Sequence, residues 1–126
     1  MTVRVIYADD EPDIREVAAL SLGLDPDLEV RTCASGPEVL AATATWLPDI
    51  ILLDVMMPGM DGPTTLTRLR ERAELAAVPV VLITARTQAR EIEQFKALGA
   101  AGIITKPFDP MTLAQTAKGF LRIGDR

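Results

Sequence analysis

Histidine is absent from this 126-residue chain, and cysteine occurs once, as Cys33. Without histidine there is no histidine general base, no histidine metal site and no phosphohistidine in the chain itself. A single cysteine excludes an internal disulfide and a cysteine-based zinc site. Cys33 lies in a strand-like stretch and reads as a small core residue. Basic clusters are missing too: 13 lysines and arginines are spread among 18 aspartates and glutamates, for a net charge of −5. That balance argues against direct nucleic-acid binding. Charges or prolines interrupt every apolar run well short of the ~18 residues a membrane span needs. Met1-Thr2-Val3-Arg4-Val5 enters a strand pattern at once, without the design of a secretory signal. Chemistry here falls to carboxylates, hydroxyls, lysines and arginines.

Hydrophobic residues make up 48% of the chain, which suits one α/β domain able to bury its own core. The centre of the pattern is residues 49–62. Ile50, Ile51, Leu52 and Leu53 run unbroken into Asp54, and a turn rich in glycine and proline follows, Met57-Pro58-Gly59-Met60-Asp61-Gly62-Pro63. A short run apolar on both faces reads as a central strand of a parallel sheet. A carboxylate there can simply mark the strand's exit into water, and only its neighbours decide otherwise.

Those neighbours come in order. Val3 to Ala8 is a β-branched, apolar strand ending in Asp9-Asp10-Glu11-Pro12, and Pro12 fits the first turn of a helix. Ile14, Val17, Leu20 and Leu24 then recur at helical spacing. Leu28 to Thr32 alternates, as an edge strand does. Ser35-Gly36-Pro37-Glu38 has capping-box spacing, so a helix is predicted to about Trp46, before Pro48. A third helix starts at Gly62-Pro63, with Leu66 and Leu69 inward. Pro79 to Thr84 is a second wholly apolar strand, followed by a helix with Ile92, Phe95 and Leu98 inward and Gly99 as its stop. Gly102 to Thr105 is the fifth strand. Asp109-Pro110 is expected to cap a last helix, with Leu113, Ala117, Phe120 and Leu121 inward. Alternation of this kind gives a parallel sheet with helices on both faces and right-handed crossovers.

Four strands end in functional groups: Asp9 and Asp10, Asp54, Thr84, and Lys106. In a parallel sheet these ends share one rim, where open α/β sheets place their ligands. Crowded carboxylates repel one another and call for a cation. Oxygen ligands alone suit a hard ion, Mg²⁺ above all. Lysine and hydroxyl groups on the same rim can hold phosphoryl oxygens, leaving Asp54 to act as nucleophile and form an aspartyl phosphate. Met56, Met57 and Met60 read as turn packing, and Arg86 and Arg90 as solvated.

With Asp9-Asp10-Glu11, Asp54 to Gly62, Thr84-Ala85 and Lys106-Pro107-Phe108 each at the end of a strand, the chain resembles the receiver domain of two-component response regulators. The resemblance runs from Val3 to about Leu121. It implies a flavodoxin-like (βα)5 fold with strand order 2-1-3-4-5 and a single receiver domain over residues 1–126. Asp54 looks like the phosphoacceptor, while Asp9, Asp10, Asp54 and the main-chain carbonyl of Met56 look like the Mg²⁺ ligands. Thr84 and Lys106 would engage the phosphoryl group, and the Lys106-Pro107 bond would be cis. The implied partners are a sensor histidine kinase or histidine phosphotransfer protein and a downstream protein target. The implied location is cytoplasmic, without membrane insertion or direct nucleic-acid binding. Such a chain is a signalling phosphoacceptor rather than an enzyme, although it catalyses its own phosphorylation and slow dephosphorylation. Only Ile123 to Arg126 follow the last helix, so a stand-alone receiver is expected, although nothing internal excludes a piece of a longer protein.

One position departs from the family. Many receivers carry tyrosine or phenylalanine three residues before the lysine, where this chain has Ile103, so the switch pair would be Thr84 and Ile103 without an aromatic. Other readings fit less well. A phosphorylation-independent module would lack one of the acids, the threonine or the lysine, and none is lacking. An aspartate-nucleophile phosphatase wants an acid where Met56 stands, and a flavin site wants a glycine-rich phosphate loop after the first strand.

Overall fold

The computed structural model describes residues 2–85 and 88–124. Five strands, β1 (Val3–Ala8), β2 (Leu28–Cys33), β3 (Ile50–Asp54), β4 (Val80–Thr84) and β5 (Gly102–Thr105), form one sheet in the order β2-β1-β3-β4-β5. All four pairings are parallel. Between and after them lie α1 (Pro12–Gly23), α2 (Gly36–Thr45), α3 (Gly62–Arg70), α4 (Ala89–Ala97) and α5 (Leu113–Gly124). The expected architecture and strand order hold. A single 3-10 turn at Ala73–Leu75, which no periodicity announced, completes the path from α3 to β4.

Strand alternation sorts the interior into two cores, one on each face of the sheet. Ile51 and Leu53 of β3 join Ile6, Ala8 and Leu82 beneath α2 and α3, through Val39, Leu66 and Leu69. Ile50 and Leu52 join Val5, Tyr7, Val81 and Ile83 beneath α1 and α5, through Ala18, Leu22, Leu113 and Ala117. Every residue of β3 and β4 is buried, so their unbroken apolar runs reflect burial on both faces. Truncating one of these, such as Leu53→Ala, would cost about 2–5 kcal/mol. At the edge, β2 alternates between half-buried and exposed before Cys33 turns inward.

Caps set where the helices begin. The Ser35 hydroxyl accepts from the Glu38 amide at 3.3 Å, and the Glu38 carboxylate accepts from the Ala34 amide at 3.0 Å. The reciprocal arm thus reaches one residue further back than a strict capping box. Asp61, whose side chain accepts from the Thr64 amide at 2.9 Å, caps α3.

Four expectations need correction. Along α1 the buried residues are Ala18, Ser21 and Leu22, whereas Val17, Leu20 and Leu24 stand exposed. The helix faces both the sheet and α5 through Ala18, Ser21 and Leu22, which leaves Val17 and Leu20 on its outer side. No residue of α4 is fully buried: Ile92 and Phe95 are half-buried and Leu98 is exposed. Asp109 organises a turn, accepting from the Met111 amide at 2.9 Å, and α5 starts later, at Leu113. Met56 is exposed rather than packed in its turn, in contrast to buried Met57. Arg90 is exposed as expected, and Arg86 lies outside the described residues. No described helix is long and apolar enough to cross a membrane.

Candidate functional site: an acid cluster on the rim of the sheet

Register brings the site together. Ala8 pairs with Leu53, so the next residues, Asp9 and Asp54, leave the sheet side by side. Asp54 pairs with Ile83 and Thr84 with Thr105, which sets Thr84 one step beyond Asp54 and Lys106 one step beyond Thr105. Asp9, Asp54 and Thr84 are all buried. Asp9, Asp10 and Asp54 each offer a carboxylate oxygen, and the three oxygens lie within 4.8 Å of one another.

Lys106 is the counter-charge. Its Nζ lies 3.1 Å from Asp54 Oδ1 and 3.1 Å from Asp9 Oδ2. Its backbone is tied to β4 by the Lys106 amide, which donates to the Thr84 carbonyl at 2.9 Å, and the Lys106-Pro107 bond that follows is cis, as expected. Burial pulls the Lys106 pKa down, but the hydrogen bonds to both acids outweigh it and leave the group raised and charged. For Asp54, burial and then the neighbouring Asp9 push the carboxyl up to about 6, against the downward pull of Lys106. One ammonium therefore does not neutralise the cluster. Hard oxygen donors in excess of cationic charge fit a small divalent ion such as Mg²⁺.

The loop after β3 folds back onto the end of the strand that carries Asp54. Gly59 has φ +79°, a conformation suited to glycine. The Gly62 amide donates to the Val55 carbonyl at 3.0 Å. A Cβ at Gly62 would stand 2.5 Å from the Asp54 carbonyl oxygen and 2.8 Å from Val55 Cα, so the loop can fold onto the strand end only through a glycine. Met56, next along, carries the carbonyl expected to serve as a further oxygen ligand.

Of the residues chosen from sequence, Asp9, Asp10, Asp54, Thr84 and Lys106 lie along one rim, whereas Ile103 stands apart. It is half-buried, packed on the α2/α3 core with Phe95 of α4, on the opposite face from Tyr7. Sequence reasoning missed Tyr7 as a site residue. Its hydroxyl donates to Asp9 Oδ2 at 3.2 Å, while the Glu11 amide donates to Asp9 Oδ1 at 3.0 Å and Arg15 Nη1 to the Asp9 carbonyl at 2.8 Å. The signal was available, since residues two apart on a strand share a face. Burial, then Asp9, drives the Tyr7 pKa upward, so the phenol stays protonated. Cys33 is buried, and burial pushes its thiol up to about 11, as suits an inert core residue.

An acid cluster with one bridging lysine, at the C-terminal rim of a doubly wound parallel sheet, defines a protein that handles phosphoryl groups or divalent ions at a strand-end crevice. The chain belongs to the response regulator receiver domain family, whose model matches residues 5–118. It is 40% identical over 123 residues to the response regulator PleD of Caulobacter vibrioides, covering 97% of this chain and 27% of that protein. Against the transcriptional regulator RpaA of Synechocystis the identity is 32% over 123 residues, 98% of this chain and 51% of the relative. The chain thus spans between about a quarter and a half of the curated relatives it matches. The Vibrio cholerae chemotaxis protein CheY4 superposes with a TM-score of 0.88 at 32% identity, covering 95% of this chain and 99% of that one. Membership makes this a receiver of two-component signalling. Receivers bind Mg²⁺ through acidic residues, and the three-aspartate cluster fits that habit.

Proposed function

We propose that Asp54 accepts a phosphoryl group from a phosphohistidine on a sensor kinase or histidine phosphotransfer protein, and that the altered charge on the rim changes which protein the chain binds next. The observation that carries this reading is Lys106 Nζ, held 3.1 Å from both Asp54 and Asp9 beside an acid cluster that a single ammonium does not neutralise. Asp9, Asp10, Asp54 and the Met56 carbonyl would hold Mg²⁺, which offsets their charge and that of the incoming phosphoryl oxygens. An Asp54 carboxylate oxygen attacks the phosphorus; the P–N bond to the donor imidazole breaks, and the imidazole leaves with the bonding pair. Lys106 follows the transferred oxygens, and Thr84, buried at the end of β4, is positioned to meet another. Water later cleaves the acyl phosphate and restores Asp54. The chain thereby catalyses its own phosphorylation and slow dephosphorylation without acting as an enzyme on a separate substrate. Its output is a protein contact or passage of the phosphoryl group onward.

An apolar groove beside Lys106, lined by Ile14, Val17, Pro107, Phe108 and Pro110, supports a protein rather than a small molecule as donor, because it offers surface to bury next to the acids. Intact-mass measurement with acetyl phosphate tests the chemistry. One phosphoryl adduct is expected with Mg²⁺, and none in excess chelator or in Asp54→Asn. Equal labelling with and without Mg²⁺ would contradict the mechanism.

A further inference from the structure

Tyr7 is fully buried, and its hydroxyl shares one oxygen with the mobile charge of the site. Asp9 Oδ2 accepts from the Tyr7 hydroxyl at 3.2 Å and lies 3.1 Å from Lys106 Nζ. The two donors differ in freedom. The Tyr7 ring is locked in the core under α1 and α5 and meets Phe108 edge-on, with centroids 6.2 Å apart and planes at 70°. Lys106 ends a flexible stem, remains partly exposed and already divides its ammonium between two acids.

A phosphoryl group on Asp54 carries about −1.5 to −2 charges on oxygens that reach beyond the carboxylate. The ammonium is drawn toward it and away from Asp9. Asp9 is fully buried, and even where Mg²⁺ offsets its charge, a buried carboxylate oxygen that loses a hydrogen-bond donor is disfavoured unless another donor stays on it. Oδ1 keeps the Glu11 amide, and among the described side chains Oδ2 would keep the Tyr7 hydroxyl as its donor.

We propose that Tyr7 is a positioning residue that keeps the Asp9 carboxylate paired when Lys106 leaves it for the phosphoryl group. The hydroxyl therefore matters little while Lys106 rests on Asp9 and a great deal once it has gone. This rests on Asp54 being the phosphoacceptor, and extends that reading to a residue outside the rim's acids, threonine and lysine. Tyr7→Phe keeps the ring in the core and removes only the donor.

Calorimetric titration of the full chain separates the two ideas. With Mg²⁺ saturating, Tyr7→Phe should bind beryllium fluoride about tenfold more weakly than wild type, the scale of a hydrogen bond to a charged group. Its affinity for Mg²⁺ alone should stay within about twofold, since Lys106 still holds Asp9 in that state. Equal beryllium fluoride affinities would overturn the proposal, as would an equal loss in Mg²⁺ binding, which would place the hydroxyl's effect on the ion. A wild type that takes up no beryllium fluoride would overturn the phosphoacceptor reading itself, and this inference with it. Tyr7 is the one tyrosine in the chain, so a ¹³Cζ label gives a second readout on unmutated protein. Its resonance should shift when beryllium fluoride joins Mg²⁺ and hold still with Mg²⁺ alone; no shift on adding beryllium fluoride would contradict the proposal.

Discussion

Asp54 is a poorly stabilised anion while no divalent ion is bound, which under the proposed mechanism would prepare it to take up a cation and a phosphoryl group. Burial and Asp9 raise its pKa from 3.8 to about 6. Between those values the folded chain holds a proton that the unfolded chain has released, so this group's contribution to stability falls as pH rises through roughly 4 to 6. A shift of that size corresponds to at most ~3 kcal/mol. Asp54→Asn removes the charge, and at pH 7 in chelator it should stabilise the fold by about 1–3 kcal/mol. The lower end is expected because Lys106 loses one partner. The gain should vanish near pH 4, and denaturant midpoints at the two pH values check it; a variant no more stable than wild type at pH 7 would mean that Asp54 is not strained. Lys106→Ala works the other way. It leaves the buried acids without their ammonium donor and should cost about 1–3 kcal/mol in chelator, with Mg²⁺ restoring more stability to the variant than to wild type. It should still accept phosphate, slowly, but respond poorly in partner binding.

At the scale of elements, α3 and α4 contrast. Leu66 and Leu69 anchor α3 in the core, whereas α4 buries nothing fully and is tied at its C-terminal end through Arg70, whose guanidinium donates to the Gly99 carbonyl at 2.9 Å. Few buried contacts mark a segment that opens easily, and Ile103, stiff at χ1, packs on the same face as Phe95. Activation should therefore shift α4 against the β5 surface without an aromatic gate. Adding beryllium fluoride with Mg²⁺ should move the amides of Thr84, Arg90 to Leu98 and Ile103; changes confined to Asp9, Asp10 and Asp54 would show another route. Gly62→Ala should displace the Asp54–Val55 backbone, cost about 2 kcal/mol and weaken Mg²⁺ binding in a thermal-shift titration. Strands and rim were legible in the sequence because burial on both faces leaves unbroken apolar runs and because parallel strands deliver their last residues to one edge. Exposure along α1 and α4 was not legible: helical spacing finds a face, but not how far a neighbour covers it. Tyr7 was legible only through strand alternation with Asp9, because its polar tip is hidden in a strand that reads as apolar.

For the whole molecule, charge and folding are coupled through the rim. A net charge of −5 adds long-range attraction for a cation to the local demand of three aspartates within 4.8 Å. At Mg²⁺ tenfold above its dissociation constant, linkage adds about 1.4 kcal/mol, which for a domain of this size should raise the melting temperature by roughly 4–7 °C. Na⁺ at equal ionic strength should not reproduce the shift. Under the proposed mechanism the same rim decides where a phosphoryl group goes: Asp54 shares Lys106 with Asp9, but its strand β3 is the one paired with the strand of Thr84. Borohydride reduction of protein treated with acetyl phosphate, followed by peptide sequencing by mass spectrometry, reads that position directly because a phosphoaspartate is reduced to homoserine. Homoserine should appear at position 54 alone, and only when Mg²⁺ was present. Homoserine at position 9 or 10, or at 54 with equal yield in chelator, would contradict a Mg²⁺-dependent acceptor at Asp54.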